Sequence, residues 1–221
     1  MKGKVSIIKQ EAEIEASENE VKEFFNGIVP ECVKEFGGLL ADKVRFWRWS
    51  NQVDIIREAK VKIEASGLER KQVPLKVLLP ILENSSLEED ELLKNKWSNL
   101  LANAISGNKE INPNYPEILK ELSPLEVFIL DKVYDEACKE ADYSKRNEMQ
   151  YSKQKICEAF KLSSEQADLI VENLFRLNLL RPPAGHGIMV GQYKYALRTT
   201  EIFEMTTLGF NFVNACKWGN V

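Results

Sequence analysis

The chain has 221 residues, of which 44% are hydrophobic, and this content is sufficient for one large or two small domains with hydrophobic cores. Its formal net charge of −4 argues against a protein that coats nucleic acid, because general phosphate binding requires a basic surface. Its four cysteines include no CxxC pair, and their spacing suits neither a zinc site nor a disulfide framework. Without a signal-peptide stretch or a run of about 20 apolar residues, the sequence predicts a cytoplasmic protein.

The first part of the chain reads as a flexible arm followed by helices. Residues 1–16 mix charged with small residues, which predicts the arm. A helical domain is expected from 17 to 122, beginning at a capping box in Ser17–Glu20. Its longest helix is expected between Glu31 and Ala65, with Gly67 as its stop, because apolar side chains recur there every three or four residues. This stripe comprises Phe46, Trp49, Val53, Ile56, Ala59 and Ile63.

Further helices complete this predicted domain. Pro74 opens an apolar segment in which Pro80 is expected either to kink the helix or to start a new one. Ser86–Glu89 reads as a second capping box, which leads into a helix that contains Trp97 and ends at Gly107. A turn rich in Asn and Pro then precedes a short last helix.

A second domain is expected from 123 to 217, and it begins with the clearest helix start in the chain. Ser123 is followed directly by proline and, three positions on, by Glu126, which are the residues preferred at a helix N-terminus. This helix is predicted to run to about Ala141. The polar segment Asp142–Gln150 has no hydrophobic periodicity and is predicted to be a linker or loop.

Two short helices are predicted next, at 152–161 and 164–177, with a capping box of Ser163 and Gln166 between them. The second of these helices carries three acids in positions that would face a DNA groove. A helix in this position enters the DNA groove in helix-turn-helix proteins. Each acid would repel phosphate, however, so the charges disfavour DNA binding. The acids are Glu165, Asp168 and Glu172, against the single cation Arg176.

A turn-rich tip and two strand-like stretches follow, Met189–Leu197 and Arg198–Met205, before a last helix that begins at Thr206. The predicted fold is therefore mainly α, an N-terminal helical domain followed by a C-terminal winged-helix-like domain with a small β-hairpin. The cations and the histidine of this wing are the candidate wing contacts to a partner or to DNA. They are Arg181, His186, Lys194 and Arg198.

Catalytic chemistry is not indicated by the residues present. The only histidine, His186, lies between glycines, which argues against a Ser or Cys triad. There is no Gly-rich phosphate-binding loop, no His/Cys cluster and no Ca²⁺-binding loop. The acids of Glu88–Glu91 are interpreted as first-turn residues of a helix, where the macrodipole favours negative charge, rather than as metal ligands. We therefore expect no enzyme activity, no cofactor and no metal.

A basic and aromatic run, Lys43–Trp49, is the most unusual local feature of the sequence. It predicts a core helix whose Phe46 and Trp49 are buried and whose cationic side chains lie along the surface. Two functional alternatives stay open: a surface for a protein partner or an anionic membrane, and a clamp for single-stranded nucleic acid. The candidate residues for a partner or membrane surface are Lys43, Arg45, Trp47 and Arg48.

Five segments carry a family resemblance. They are FGGLLADKVRFWR from Phe36, VPLKVLLPILENSSLEED from Val73, WSNLLANA from Trp97, EILKELSPLE from Glu117 and TLGFNFVNAC from Thr207. In this order they resemble the bacterial abortive-infection alpha (Abi-alpha) family. The resemblance implies a role in bacterial defence against phage, by arresting or killing the infected host, and it brings no catalytic residues to this chain.

The leading hypothesis is a non-enzymatic phage-defence effector or accessory protein that acts through protein–protein contacts. A winged-helix DNA-binding regulator is the alternative, and a peripheral membrane-acting, toxin-like effector is the second alternative. Protein partners or self-association are expected, nucleic acid is disfavoured, and no transmembrane segment is predicted.

Overall fold

A computed structural model describes residues 19–21, 23, 43–146, 148–183 and 201–219. Within these residues the protein is mainly helical, as predicted, with nine helices and one small three-stranded antiparallel sheet. The helices are α1 (Lys43–Ser66), α2 (Leu75–Ser85), α3 (Glu91–Ser106), α4 (Tyr115–Lys120), α5 (Pro124–Ala137), α6 (Tyr143–Arg146), α7 (Lys153–Phe160), α8 (Ser164–Arg176) and α9 (Thr207–Ala215). The strands are β1 (Gln150–Ser152), β2 (Leu180–Arg181) and β3 (Ile202–Met205).

The chain divides into two compact units. The first comprises Met1–Lys120 together with Ala215–Trp218, and it contains helices α1 to α4. The second comprises Glu121–Asn214 with Gly219–Val221, and it contains α5 to α8 and the sheet. The carboxyl end of α9 is thus assigned to the first unit, although the rest of that helix belongs to the second.

The core of the first unit is built where α1 and α2 pack against α3. The apolar stripe predicted for α1 is buried from Val53 to Ile63, which confirms its helical phase. Trp49 is half-buried, and the side chain of Phe46 lies outside the described part of the structure. Opposite the stripe, α3 contributes fully buried side chains, with Trp97 at the centre of the apolar core. The buried stripe is Val53, Ile56, Ala59 and Ile63, and α3 contributes Trp97, Leu100, Leu101 and Ile105.

The end of α1 is also as predicted. The helix ends at Ser66, and Gly67 has a φ of 68°, in the left-handed region. A glycine adopts this conformation without the steric cost that a Cβ atom imposes, so Gly67 is a suitable helix stop.

The predicted capping box at Ser86 was wrong, because α3 begins four residues later. Asp90 is the N-cap, and its Oδ1 accepts hydrogen bonds from the backbone N–H of Leu92 at 2.9 Å and of Leu93 at 3.2 Å. Ser86 instead ends α2, where its hydroxyl donates to the carbonyl of Glu83 at 2.6 Å. A carboxylate is a stronger acceptor for the first N–H groups than a hydroxyl that already bonds to the preceding helix. Helix α2 continues through its internal proline to Ser85 as one helix, so no new helix starts at that proline.

In the second unit, the helix start predicted at Ser123 and the capping box predicted for Ser163 and Gln166 are both present. Ser123 caps α5, and the carboxylate of Glu126 accepts from the N–H of Ser123 at 2.7 Å. Ser163 and Gln166 form the equivalent reciprocal pair at the start of α8. Helices α7 and α8 also begin and end within one residue of the positions that the sequence predicted.

The segment predicted as a linker is partly ordered, which is a correction. Helix α5 ends at Ala137, short of the expected Ala141, and the one-turn helix α6 lies inside the predicted loop. The last residue of that loop, Gln150, begins strand β1. Elements this short contain too few residues to show a period of 2 or 3.6.

The sheet has the order β1-β3-β2, with β3 in the centre and both of its pairings antiparallel. In the register, Tyr151 faces Phe203 across one pair, and Leu180 faces Met205 across the other. All four side chains are buried, so one face of the sheet contributes to the core of the second unit. The predicted strand Arg198–Met205 is present in its final four residues as β3. The other predicted strand and residues 184–200 as a whole lie outside the described residues.

The turn into α9 requires a glycine for steric reasons. Thr206 anchors the turn: its N–H donates to the carbonyl of Leu179 at 3.0 Å, and its Oγ1 accepts from the N–H of Gly209 at 2.9 Å. A Cβ atom on Gly209 would lie 2.2 Å from the carbonyl oxygen of Leu179, well inside van der Waals contact. The start of α9 can therefore approach the chain at Leu179 this closely only because residue 209 has no side chain.

We expect Gly209→Ala to destabilise the protein by about 1–3 kcal/mol, because the added methyl group forces the start of α9 away from Leu179. Chemical denaturation followed by circular dichroism measures this loss. Asn211→Ala is the control, since Asn211 is exposed in the same helix and alanine has a higher helix propensity than asparagine. A Gly209→Ala variant as stable as the wild type would contradict the close approach.

Candidate functional site

An ion triad around the buried Lys153 joins α7 and α8 to Glu201, the residue before β3. Lys153, the first residue of α7, is only 5% exposed, and its Nζ lies 2.8 Å from Asp168 Oδ1 and 2.8 Å from Glu201 Oε1. Its backbone N–H also donates to the carbonyl of Glu201 at 2.9 Å. The hydrogen bond to Asp168, followed by that to Glu201, raises the pKa of Lys153 above the ordinary lysine value of 10.5. The ammonium group is therefore stably charged and satisfied.

The triad changes the interpretation of the acids on α8. Asp168 is directed to Lys153 inside the unit, so it does not contribute a free charge to the outer surface. The exposed residues of α8 include Glu165, Leu169 and Glu172, which lie on one face because they are spaced by four and three residues. Ser164, Gln166 and Arg176 are exposed on this helix as well. Leu169 is 68% exposed. The outer face of α8 is therefore a leucine with one carboxylate a turn before it and another a turn after it.

The one cation of α8 is occupied by neighbours on the same unit. Arg176 Nη2 lies 2.5 Å from Glu121 Oε2, and it also donates to Asn173 Oδ1 at 2.8 Å. The same asparagine donates from Nδ2 to Glu126 Oε1 at 2.7 Å. Arg176 is thus part of a surface network that links α8 to the chain before and within α5, and its charge is paired.

The candidate wing contacts are only partly within the described structure. Arg181 lies on β2 opposite Glu204 on β3, and its Nε is 3.3 Å from Glu204 Oε2. Glu204 is buried, and Arg181 is about half exposed, so this is a cross-strand pair at the edge of the sheet. His186, Lys194 and Arg198 lie outside the described residues, and a wing contact through any of the four stays a prediction.

The basic and aromatic run forms the first turns of α1. The side chains of Lys43, Arg45 and Trp47 lie outside the described part of the structure. Arg48 is exposed, and its Nε donates to Ser86 Oγ at 3.0 Å. The cation thereby lies at the carboxyl end of α2, where the helix dipole favours positive charge. This contact contributes to the packing of α1 on α2, and a role of the four candidates in binding a partner or a membrane stays a prediction.

A serine–lysine pair lies between α1 and α3. The hydroxyl of Ser98 is 2.8 Å from Glu58 Oε2, and the ammonium of Lys62 donates to the same hydroxyl. Burial lowers the pKa of Lys62, while the nearby Glu58 opposes this effect. A lysine of lowered pKa can activate a serine nucleophile in other settings. Here Ser98 has no exposed surface, so the group serves as a polar bridge between two helices and is inaccessible to a substrate.

Two asparagines of α3 hold the carboxyl end of α9 within the first unit. Asn103 Nδ2 donates to the carbonyls of Ala215 at 2.8 Å and Lys217 at 2.9 Å, and Asn99 Nδ2 donates to the carbonyl of Cys216 at 3.0 Å. The final carbonyls of a helix have no partner within the helix, so these amides satisfy groups that would otherwise be orphaned. Two of the segments with a family resemblance, those starting at Trp97 and at Thr207, therefore bond to each other.

The acids before and at the start of α3 have a structural role. The carboxylate of Glu88 accepts from the N–H of Glu89 and of Asp90, and Asp90 caps α3, so these acids act at the helix start. No cluster of three or more His, Cys, Asp or Glu that could hold a metal occurs in the described ranges. Cys138 and Cys157 are half-buried, Cys216 is buried, and the fourth cysteine lies outside the described residues. None of the helices that the structure describes has the length and apolar character to cross a membrane.

Sequence reasoning did not identify Lys153, Leu169 or Asn103 as important residues. Lys153 and its partner Glu201 are separated by 48 positions, and no local pattern connects them. The capping box at Ser163 does define the phase of α8, and from that phase the exposed position of Leu169 can be derived.

Comparison with known protein families gives a match over most of the chain. The sequence profile of the family described as abortive infection alpha matches residues 49–216. No curated protein and no solved structure matches the chain significantly.

We expect Lys153→Met to destabilise the protein by about 1–3 kcal/mol, less than for a fully buried pair because both carboxylates are partly hydrated. Because the folded-state pKa of Lys153 is raised, this stabilisation is complete below the unfolded lysine value of 10.5 and is lost as the pH rises through the folded value. The stability difference between the two proteins should therefore be constant near neutral pH and shrink in alkaline solution. Denaturation curves across this pH range measure it.

Lys155→Met is the matched control, since Lys155 is exposed two residues further along the same helix. It should change stability by less than about 0.5 kcal/mol. Equal effects of the two substitutions would contradict a stabilising role for the triad.

Proposed function

The chain belongs to the abortive infection alpha family, and we propose that it acts in bacterial defence against phage as a non-enzymatic effector that works through protein contacts. The family match over residues 49–216 is the observation that carries the defence role. In such a role the protein would arrest or kill the infected host cell, which limits the spread of the phage.

Action by contact rather than catalysis is supported by the state of the reactive groups. Ser98, which lies beside a lysine of lowered pKa, is fully buried between α1 and α3. The buried carboxylate of Glu126 bonds through its two oxygens to Ser123 and to Asn173. Side chains engaged in this way stabilise the fold, while the exposed face of α8 offers an apolar residue and two charges to a partner.

We expect expression of the protein to reduce phage plaquing on a susceptible host, and its deletion from its native host to increase plaquing. A broad phage panel, with survival of the infected cells counted in parallel, measures this. Unchanged plaquing and survival across the panel would contradict a defence role.

The same assay tests the absence of catalysis. Ser98→Ala, verified as folded by circular dichroism, should keep full protection because Ser98 has no access to a substrate. A folded Ser98→Ala protein that no longer protects would favour an enzyme.

We infer further that the second unit is a winged-helix-like module. Support comes from the chain order of α5, β1, α7, α8, β2 and β3, and from a sheet in which β3 pairs with both β1 and β2. This fold typically has a helix, a strand, two further helices and a hairpin, in that order. The last strand of the hairpin pairs with the first strand. The connection between β2 and β3 includes residues 184–200, which lie outside the described part of the chain.

This module makes a DNA-binding regulator the second candidate function. In a helix-turn-helix the second helix of the pair enters the major groove, and here that helix is α8. Its exposed face carries Glu165 and Glu172, and both would approach phosphate with the wrong sign. The fold thus favours this candidate, while the charge of the helix argues against it.

We therefore expect no binding to duplex DNA from the protein's own promoter region at micromolar protein, measured by fluorescence anisotropy at low salt. A random duplex is the control for non-specific attraction. Salt-dependent affinity at or below this concentration, abolished by Lys194→Ala together with Arg198→Ala, would establish the regulator instead.

A further inference from the structure

We propose that the exposed face of α8, formed by Glu165, Leu169 and Glu172, is a docking surface for an electropositive, amphipathic protein segment. The segment presents one apolar side chain flanked on both sides by Lys or Arg. This inference rests on the proposed function, because it names the chemistry of the partner for an effector that works through protein contacts.

The geometry of α8 sets the spacing that the partner must match. Glu165 and Glu172 are seven residues apart, so their positions are separated by about 10 Å along the helix axis. Leu169 lies between them on the same face and, at 68%, is the most exposed large hydrophobic side chain among the described residues. A complementary segment therefore places two cations about 10 Å apart around one apolar contact.

The charge of this face is set by these two carboxylates because the other charged side chains of α8 are paired. Asp168 bonds to Lys153 at 2.8 Å, and Arg176 contacts Glu121 at 2.5 Å. Within the described ranges, neither Glu165 nor Glu172 forms an ion pair. The face is consequently acidic, because no cation of α8 pairs with either glutamate.

Charge complementarity also selects among the classes of partner. The second unit from 121 to 214 contains 14 acidic and 11 basic residues, so the acidic face lies on an acidic unit that attracts cations rather than phosphate. Two copies of the face would bring like charges together, which disfavours a symmetric dimer through α8. A basic protein segment is the partner that satisfies both the leucine and the carboxylates.

The leucine alone would not indicate a binding surface, since single apolar side chains are common on protein surfaces. Its position between two carboxylates one turn away on either side makes it part of a pattern. A leucine in contact with a partner excludes water, and this strengthens the ion pairs that flank it. The arrangement thus provides an apolar contact for affinity and two charges for selectivity.

A synthetic peptide tests this surface with the full chain. The probe is a fluorescein-labelled helical peptide of about 15 residues with one leucine flanked by lysines a turn before and a turn after it. Fluorescence anisotropy measures its affinity in about 0.1 M salt. A second peptide with glutamates in place of the lysines is the reverse-charge control, and it should not bind.

Two variants distinguish the α8 face from general acidity. Glu165→Lys with Glu172→Lys should weaken peptide binding by at least about tenfold, and Leu169→Ala should weaken it by about threefold to tenfold. Glu69→Lys with Glu89→Lys is the matched control, since both residues are exposed in the first unit and the change in net charge is the same. This control should leave the affinity within about twofold of the wild type.

Binding that is lost with the α8 pair and kept with the control pair supports the docking surface. Absence of peptide binding, or equal weakening by the two pairs, overturns it. The infection assay tests the defence role independently of the docking surface. A protein that binds the peptide selectively but gives no protection would contradict only the defence role. Protection that is retained after the peptide has proved not to bind would contradict only the docking surface.

Discussion

Lys153 holds together three parts of the second unit that are distant in sequence. Its ammonium group binds Asp168 on α8 and Glu201 before β3, and its own backbone starts α7 next to β1. A buried ammonium is costly unless its hydrogen-bonding capacity is met, so the positions of α8 and β3 are constrained by the need to supply two carboxylates. The same constraint decides which acids of α8 face outward, because Asp168 is directed inward while Glu165 and Glu172 stay on the surface.

A second constraint lies at the two ends of α9, in a segment with a family resemblance. At its start, Gly209 permits contact with the carbonyl of Leu179 at a distance that a side chain would prevent. At its end, the amides of Asn99 and Asn103 satisfy carbonyls that the helix leaves without partners. Several positions of the family-like segments thus have a physical role in folding, which explains them without any catalytic function.

The functional interpretation depends on the sign and the accessibility of the surface charges. A row of unpaired arginines on the outer face of α8 would favour contact with phosphate, whereas the exposed glutamates Glu165 and Glu172 repel it. The cation of α8 is bound to Glu121, and Arg48 in the basic run of α1 is bound to Ser86. Both cations therefore contribute to local structure, and the charges left on the outer face of α8 are the acidic ones.

The sequence by itself determined the features that depend on neighbouring residues. The helix start at Ser123, the capping box at Ser163, the stop at Gly67 and the buried stripe of α1 were predicted because residues within one or two turns decide them. The short strands β1 and β2 were missed, since their backbone groups are satisfied only by β3, which lies far along the chain. The start of α3 was misplaced because the contact of Ser86 with α1 depends on packing between helices. Only the tertiary structure decided which acids of α8 are neutralised, because their partners come from other elements and no local pattern specifies such a contact.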